Sequence, residues 1–183
     1  MGEPTPQFLA LKAQADQKLQ TALDMQGEDN HVVRSAIMEA VDLYNEALNL
    51  PTNNGECRLL CHRELIKAYS RQEKLSQMKQ LKLYFFDMEL ENVDRVLYYI
   101  KLDSAEAKSL IISGVQYFSR LRLLLQDETS ANKAGYLEKV FVGMNAANIE
   151  FRSRLAWQIS KAYYKQTLQK VDSKDAKTAN TLC

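Results

Sequence analysis

The chain has 183 residues, enough for one domain with a sizeable core or for a short helical array. Apolar residues make up 46% of it and charged residues 26%, close to the averages for soluble globular proteins. The 24 basic and 23 acidic residues leave a net charge of +1. This balance gives no reason to expect nucleic acid or a membrane surface as a partner.

Residues that make turns are scarce. There are 6 Gly and 3 Pro, and no Pro follows Pro51. A β-sandwich or an α/β fold of this length would need more of them at its connections. No segment alternates apolar and polar residues for more than a few positions. We therefore expect an all-α fold with long helices and few connections.

The cysteines and the termini indicate an intracellular protein. Cys57, Cys61 and Cys183 are an odd number, which fits a reducing compartment better than a disulfide scaffold. The first residues lack the basic and apolar regions of a signal peptide. No apolar stretch reaches the about 18 residues that a membrane-spanning helix needs. We expect the cytoplasm, with the nucleus as the open alternative, and no membrane insertion.

Apolar residues recur at steps of three and four along most of the chain, which predicts one apolar face on each of a series of helices. A disordered lead (1–6) and a flexible tail (172–183) enclose a single helical domain (7–171). Whether segments 74–102 and 132–171 are single or broken helices stays open, so the total is about six to seven. The first three predicted helices, and the start of the fourth, lie at about residues 7–26, 31–50, 56–71 and 74.

Capping residues stand at the predicted helix boundaries. Asp29 or Asn30 can cap the second helix, and Asp103 or Ser104 can cap the helix after residue 102, because short polar side chains accept from free N–H groups. Pro51 ends the second helix, since it cannot continue one.

Residues 40–51 resemble the second helix of a tetratricopeptide repeat. That helix carries Ala, an aromatic residue, a second Ala and a closing Pro at fixed spacing. Small Ala side chains let two helices approach closely, and the aromatic ring fills the groove beside them. The matching residues are Ala40, Tyr44, Ala47 and Pro51, with Pro one position early.

The next stretch resembles the start of a repeat, and residues 156–164 are a third echo of the motif. Ile66 replaces the small Gly of the motif, a departure from a regular superhelix. The resemblance implies antiparallel helix pairs stacked as an array, with a plain helical bundle as the alternative. The residues at the spacing of a repeat start are Leu65, Ala68, Tyr69, Leu75 and Met78.

Three segments are similar, in order and spacing, to the C-terminal part of the kinesin-binding protein family. They lie at residues 58–69, 116–127 and 151–163, and they share few identities with that family. The resemblance implies a helical array that grips the α-helices of another protein along a groove. It adds a cytoskeletal motor, or a regulator of one, to the expected partners.

Cys57, Cys61 and His62 lie close together, but they do not complete a metal site. A structural zinc site needs four ligands, usually as two spaced pairs, and His31 is the only other histidine. We interpret the two thiols as core residues beside a surface histidine. We expect no metal site.

An acidic run occupies the middle of the chain. A carboxylate-bridged metal site in a bundle would need Glu-x-x-His on two helices, and that pattern is missing from the sequence. We interpret the run as a solvent-exposed helix face, with a contact for a basic partner as the alternative. It consists of Asp87, Glu89, Glu91 and Asp94.

Sequence motifs for catalysis are missing. The chain has no Gly-rich phosphate loop, no nucleophile elbow and no His-Glu-x-x-His pattern. Two histidines leave few candidates for acid–base chemistry near neutral pH. We therefore expect no catalytic residue, no cofactor and a function other than catalysis.

Arginines, lysines and tyrosines on the later helices are the candidate partner-binding residues. Arg and Tyr contribute most strongly to protein interfaces, and together they suit a groove for an acidic peptide. Ordinary surface charge is the alternative interpretation. The candidates are Tyr117, Arg120, Arg122, Arg152, Arg154, Lys161 and Tyr164.

These observations favour a non-catalytic module that binds other proteins, a tetratricopeptide-like adaptor or regulator. A structural subunit of a larger intracellular assembly, built as a plain helical bundle, is the second hypothesis. It would cover its exposed apolar patches with neighbouring subunits.

Overall fold

The computed structural model describes residues 3–51, 54–101, 103–124 and 126. Over these residues the fold is all-α and has no strand, as the sequence predicts. The predicted segment 132–171, the echo at 156–164 and the tail at 172–183 lie outside the described residues. The helices are α1 (Pro6–Asp24), α2 (Asn30–Asn49), α3 (Gly55–Leu75), α4 (Lys79–Tyr99) and α5 (Ala105–Leu124).

The helices pack as antiparallel hairpins. The pair α1 and α2 and the pair α3 and α4 make the most extensive contacts, while α2 packs on α3 and α4 on α5. The two described hairpins begin at residues 6 and 55, an interval of 49 residues, and α5 begins 50 residues after α3. This period exceeds the about 34 residues of a tetratricopeptide repeat, because each helix is longer.

Side chains cap the helix starts as the pattern predicts. Asp29 accepts from the His31 N–H at 2.8 Å, and Ser104 accepts from the Ala107 N–H at 3.2 Å. The hydroxyl of Thr5 caps α1, which begins one residue before its predicted start. None of the described helices has both the length and the apolar content to cross a bilayer.

The predicted boundary between the third and fourth helices was wrong. The helix α3 continues to Leu75, where the Ser76 hydroxyl donates to the Gln72 carbonyl at 2.6 Å and closes the last turn. Met78, predicted on an apolar face, precedes the first residue of α4 and is 61% exposed. No Gly or Pro marks this turn, so the pattern could not locate it. From Lys79 the segment is one unbroken helix.

The core lies between α1, α2 and α3, and it extends onto the start of α4. Ala40 and Ala47 are fully buried in the α2 interface, as the close packing of small residues requires. The Tyr44 hydroxyl donates to Asp16 at 2.5 Å and joins α2 to α1. The largest fully buried side chains are Tyr44, Tyr69, Phe8, Phe86, Leu19, Ile37, Leu65, Leu90 and Leu97.

The acidic run is not the exposed face that the sequence analysis expected. Glu91 is exposed and Asp87 is half-buried, but Glu89 is 0% exposed and Asp94 is 1% exposed. The helix α4 lies between α3 and α5, so its buried arc is wider than that of a helix packed on one side only. The prediction of a solvated face was therefore wrong for Glu89 and Asp94.

Candidate functional site

A cleft of about 300 Å³ opens at one end of the helix stack. Because α2, α3 and α4 are consecutive antiparallel helices, the end of α2, the start of α3 and the end of α4 meet there. We call it the arginine cleft. Its polar lining includes Asn45 and Asn49 of α2, Arg58 and His62 of α3, and Asn92 and Arg95 of α4.

His62 is held at the cleft by α4. Its Nδ1 lies 2.9 Å from Asn92 Oδ1, and the Asn92 amide donates to the Met88 carbonyl at 2.8 Å. This second bond directs the amide oxygen towards the imidazole, so Nδ1 carries the proton and Nε2 is left as the acceptor. Burial lowers the His62 pKa and outweighs the Asn92 hydrogen bond, and the nearby charges of Arg95 and Arg58 lower it further. The ring is therefore neutral at pH 7.

Tyr99 closes one side of the cleft by packing on α3. Its ring stacks on His62 with 6.4 Å between ring centroids and 19° between planes. A Cβ at Gly55 would lie 3.2 Å from the Tyr99 ring. The lack of a side chain at Gly55 thus lets the end of α4 approach the start of α3.

The charges at the cleft are predominantly positive. Arg95 is exposed and Arg58 is half-buried, while Glu91 supplies one carboxylate to the lining. The helix α3 begins beside them, at Gly55, with the positive end of its dipole. Arg58 also reaches the end of α2, where its Nη2 lies 3.5 Å from the Leu50 carbonyl.

Asn45 connects the cleft to the core. Its side chain hydrogen-bonds to Tyr69, whose pKa is raised to about 12, chiefly by burial. Because Tyr69 is buried between the hairpins, this bond fixes one wall of the cleft to the interior. The cleft is therefore a built part of the hairpin junction.

Arg120, one of the predicted partner-binding residues, joins α5 to the second hairpin, α3 and α4. Its Nη2 lies 2.6 Å from Glu73 Oε2, and its guanidinium lies 5.1 Å from the centroid of the Phe86 ring. Glu73 is only 3% exposed, and Lys82 approaches its other oxygen at 3.7 Å. The Arg120 side chain is 41% exposed, so it has a structural contact and an accessible part.

The side chains of the other predicted partner-binding residues are not among those that the structure describes. Tyr117 and Arg122 belong to α5, but the described side chains do not include theirs. The remaining four, Arg152, Arg154, Lys161 and Tyr164, lie outside the described residues.

The arginine cleft was not predicted from the sequence. Its signal was present as polar residues at helical spacing, with Arg58 and His62 four apart on α3 and Asn92 and Arg95 three apart on α4. His62, interpreted as a surface residue, is half-buried. Only packing shows that these two stripes face the same cleft.

Cys57 and Cys61 are buried core thiols, as predicted. Burial raises the Cys61 pKa to about 12, so this sulfur is a poor nucleophile at neutral pH. Across the described residues, no group of three or more His, Cys, Asp or Glu side chains could hold a metal ion.

The chain matches no protein-family model, no curated protein and no solved structure.

Proposed function

We propose that this chain is a non-catalytic protein–protein interaction module, an adaptor or regulator that binds a helix or peptide of its partner in a groove. The arginine cleft carries this proposal. It is a preformed concavity between consecutive hairpins, and Arg58, Arg95 and Tyr99 line it. Arg and Tyr are the residue types that most often dominate binding energy at protein interfaces.

The cleft suits a peptide better than a small hydrophobic ligand. Pockets for small molecules are mostly apolar with few polar groups, whereas Asn, Arg and His side chains provide much of this lining. Donors supplied by three helices can hold an extended chain or the side chains of a helix. A partner segment would therefore be held mainly by hydrogen bonds from the Asn, Arg and His side chains of the cleft.

The proposed architecture is a tetratricopeptide-like array of six to seven helices. The burial of Ala40, Tyr44 and Ala47 in the α2 interface supports a likeness in helix packing. The two described hairpins begin 49 residues apart, so the likeness does not extend to repeat length. Stacked hairpins of this kind form extended binding surfaces.

Affinity capture with quantitative mass spectrometry tests the function. The immobilised full chain is exposed to a cell lysate beside a bait-free resin, and captured proteins are re-measured in purified form by calorimetry. We expect at least one protein to bind directly with defined stoichiometry. A purified kinesin motor domain forms a separate arm, and its binding would support a motor regulator. A chain that captures nothing above the bait-free resin would contradict the proposal.

Exposed apolar side chains favour a second candidate, a structural subunit of a larger assembly. Large hydrophobic residues are exposed on all five described helices and before α4, and an assembly would cover them. Size-exclusion chromatography with light scattering separates the two functions. A stable monomer supports an adaptor, and an obligate oligomer supports a subunit. The most exposed of these residues are Leu9, Met78, Tyr98, Ile112 and Leu123.

A further inference from the structure

We infer that the arginine cleft binds the carboxylate side chains of an acidic peptide segment. This inference rests on the proposed function and names the chemical class of the partner. It places acidic-peptide binding at the junction of α2, α3 and α4. The sequence-based prediction places such binding on later helices.

Two guanidinium groups, from different helices, line the cleft. Arg58 reaches the cleft from the first turn of α3, and Arg95 reaches it from the last turns of α4. A guanidinium presents a planar fork of donors that fits a carboxylate with two parallel hydrogen bonds. Two such groups in the lining of one cleft favour a carboxylate as its ligand.

Neutral hydrogen-bond donors and the N-terminus of α3 would stabilise the same bound carboxylate. Asn49 is exposed at the end of α2, and its amide supplies donors beside the arginines. The start of α3 adds the partial positive charge of a helix N-terminus. His62 contributes a neutral ring at pH 7, so the positive charge of the lining comes from the arginines.

The charge of the lining favours a carboxylate over a phosphate. The cleft lining contains two arginines, Arg58 and Arg95, and one carboxylate, Glu91, which gives it a formal net charge of about +1. A carboxylate carries one negative charge, whereas a phosphate monoester carries about −1.5 to −2 at pH 7. A single carboxylate therefore balances the charge of the lining, whereas a phosphate would leave an excess of negative charge and lose more hydration on entering the cleft.

The size of the cleft sets how much of a partner enters it. Its volume of about 300 Å³ is at the lower end of the about 300–1,000 Å³ of small-molecule pockets. That space holds one or two side chains rather than a whole helix. The partner segment therefore places its acidic side chains in the cleft and lies across the ends of the helices.

Fluorescence anisotropy with matched labelled peptides tests the inference on the full chain. A peptide of alternating Glu and Ala is compared with a Gln–Ala peptide of equal length and with one that carries phosphoserine in place of Glu. We expect the Glu peptide to bind about tenfold more tightly than the Gln peptide, as charge-assisted hydrogen bonds imply. Equal binding of the Glu and Gln peptides, or tighter binding of the phosphoserine peptide, would overturn the carboxylate assignment.

The variant Arg95→Gln locates the binding. Arg95 is exposed, so its replacement leaves the core intact, and far-UV circular dichroism checks the fold. We expect about a tenfold loss of affinity for the Glu peptide. The matched control is Arg71→Gln, an exposed arginine near the other end of α3, which should change affinity by less than about twofold. Equal losses in the two variants would place the peptide elsewhere.

A measurement on the unmodified protein removes any dependence on variants. Addition of the Glu peptide should shift the NMR resonances of Asn49 and Arg95, while the Gln peptide leaves them in place.

If a captured protein partner binds Arg95→Gln as tightly as the unmodified chain, the inference fails and the proposed function stands. If no partner is captured, the proposed function fails whatever the peptides do.

Discussion

At the scale of single residues, the Tyr44 hydroxyl is a polar group that the fold uses inside its core. It donates to Asp16, which also pairs with Lys12 at 2.6 Å, so two helices share one hydrogen-bond network. Burial is the main reason why the Tyr44 pKa is raised, and its hydrogen bond to Asp16 raises it further. The tyrosine therefore remains protonated and keeps donating throughout the physiological pH range.

Replacement of Tyr44 by Phe removes that hydroxyl and keeps the ring. We expect the free energy of unfolding to fall by about 1 kcal/mol, because Asp16 is partly exposed and keeps Lys12 as a partner. Urea unfolding followed by circular dichroism measures the change. Tyr84→Phe, at an exposed position, is the control and should stay within about 0.5 kcal/mol. An equal loss in both variants would show that the buried hydrogen bond adds nothing.

His62 makes the stability of the chain depend on pH. Burial lowers its pKa in the folded state below the usual value, so the unfolded chain binds the proton more readily. The stabilisation is complete above about pH 6.5 and is lost as the pH falls through the folded-state pKa. We expect His62→Gln, which can still donate to Asn92, to lose less stability between pH 7.5 and about pH 5.5.

Urea midpoints at several pH values measure that difference. An NMR titration gives the His62 pKa directly, with exposed His31 as a second signal in the same spectrum. Identical pH profiles for the two proteins would remove His62 as the cause. A measured His62 pKa above 6.5 would contradict the effect of burial.

At the scale of helices, the sequence predicts which face of a helix is apolar, but it does not predict which polar residues become buried between helices. The buried faces of α1 and α2 were predictable, because apolar residues recur at steps of three and four along each helix. Phe8 on α1, and Val33 and Ile37 on α2, are buried as that spacing predicts. The burial of Glu89 and Asp94 was not predictable, because an acidic residue indicates solvent unless the neighbouring helices are known. The arginine cleft was missed for the same reason, since it combines residues from three helices.

The ion pair between Arg120 and Glu73 holds α5 against α3, and removal of the arginine should weaken this contact. Arg120→Met leaves the Glu73 carboxylate buried, with Lys82 3.7 Å away. We expect a loss of about 2 kcal/mol, less than for a fully buried pair because Arg120 is partly exposed. Hydrogen exchange should show the lost protection mainly in α5.

The double variant Glu73→Gln, Arg120→Met provides the control. It removes the buried charge together with its partner, so it should recover part of the lost stability. If the double variant is as unstable as Arg120→Met, the cause is lost packing on Phe86 and not an uncompensated carboxylate. Lost binding of a protein partner by a folded Arg120→Met chain would support the predicted partner-binding role of Arg120.

At the scale of the whole molecule, one continuous core links the first two hairpins, and this predicts that they unfold together. Leu65 lies in the core cluster that contains residues of α1, α2, α3 and the start of α4. Its side chain is almost fully buried, so Leu65→Ala should cost about 2–5 kcal/mol. Hydrogen exchange should then lose protection in both hairpins. Leu60→Ala, on the exposed side of α3, should cost less than about 1 kcal/mol. Unchanged protection of α1 and α2 in Leu65→Ala would mean that each hairpin unfolds independently.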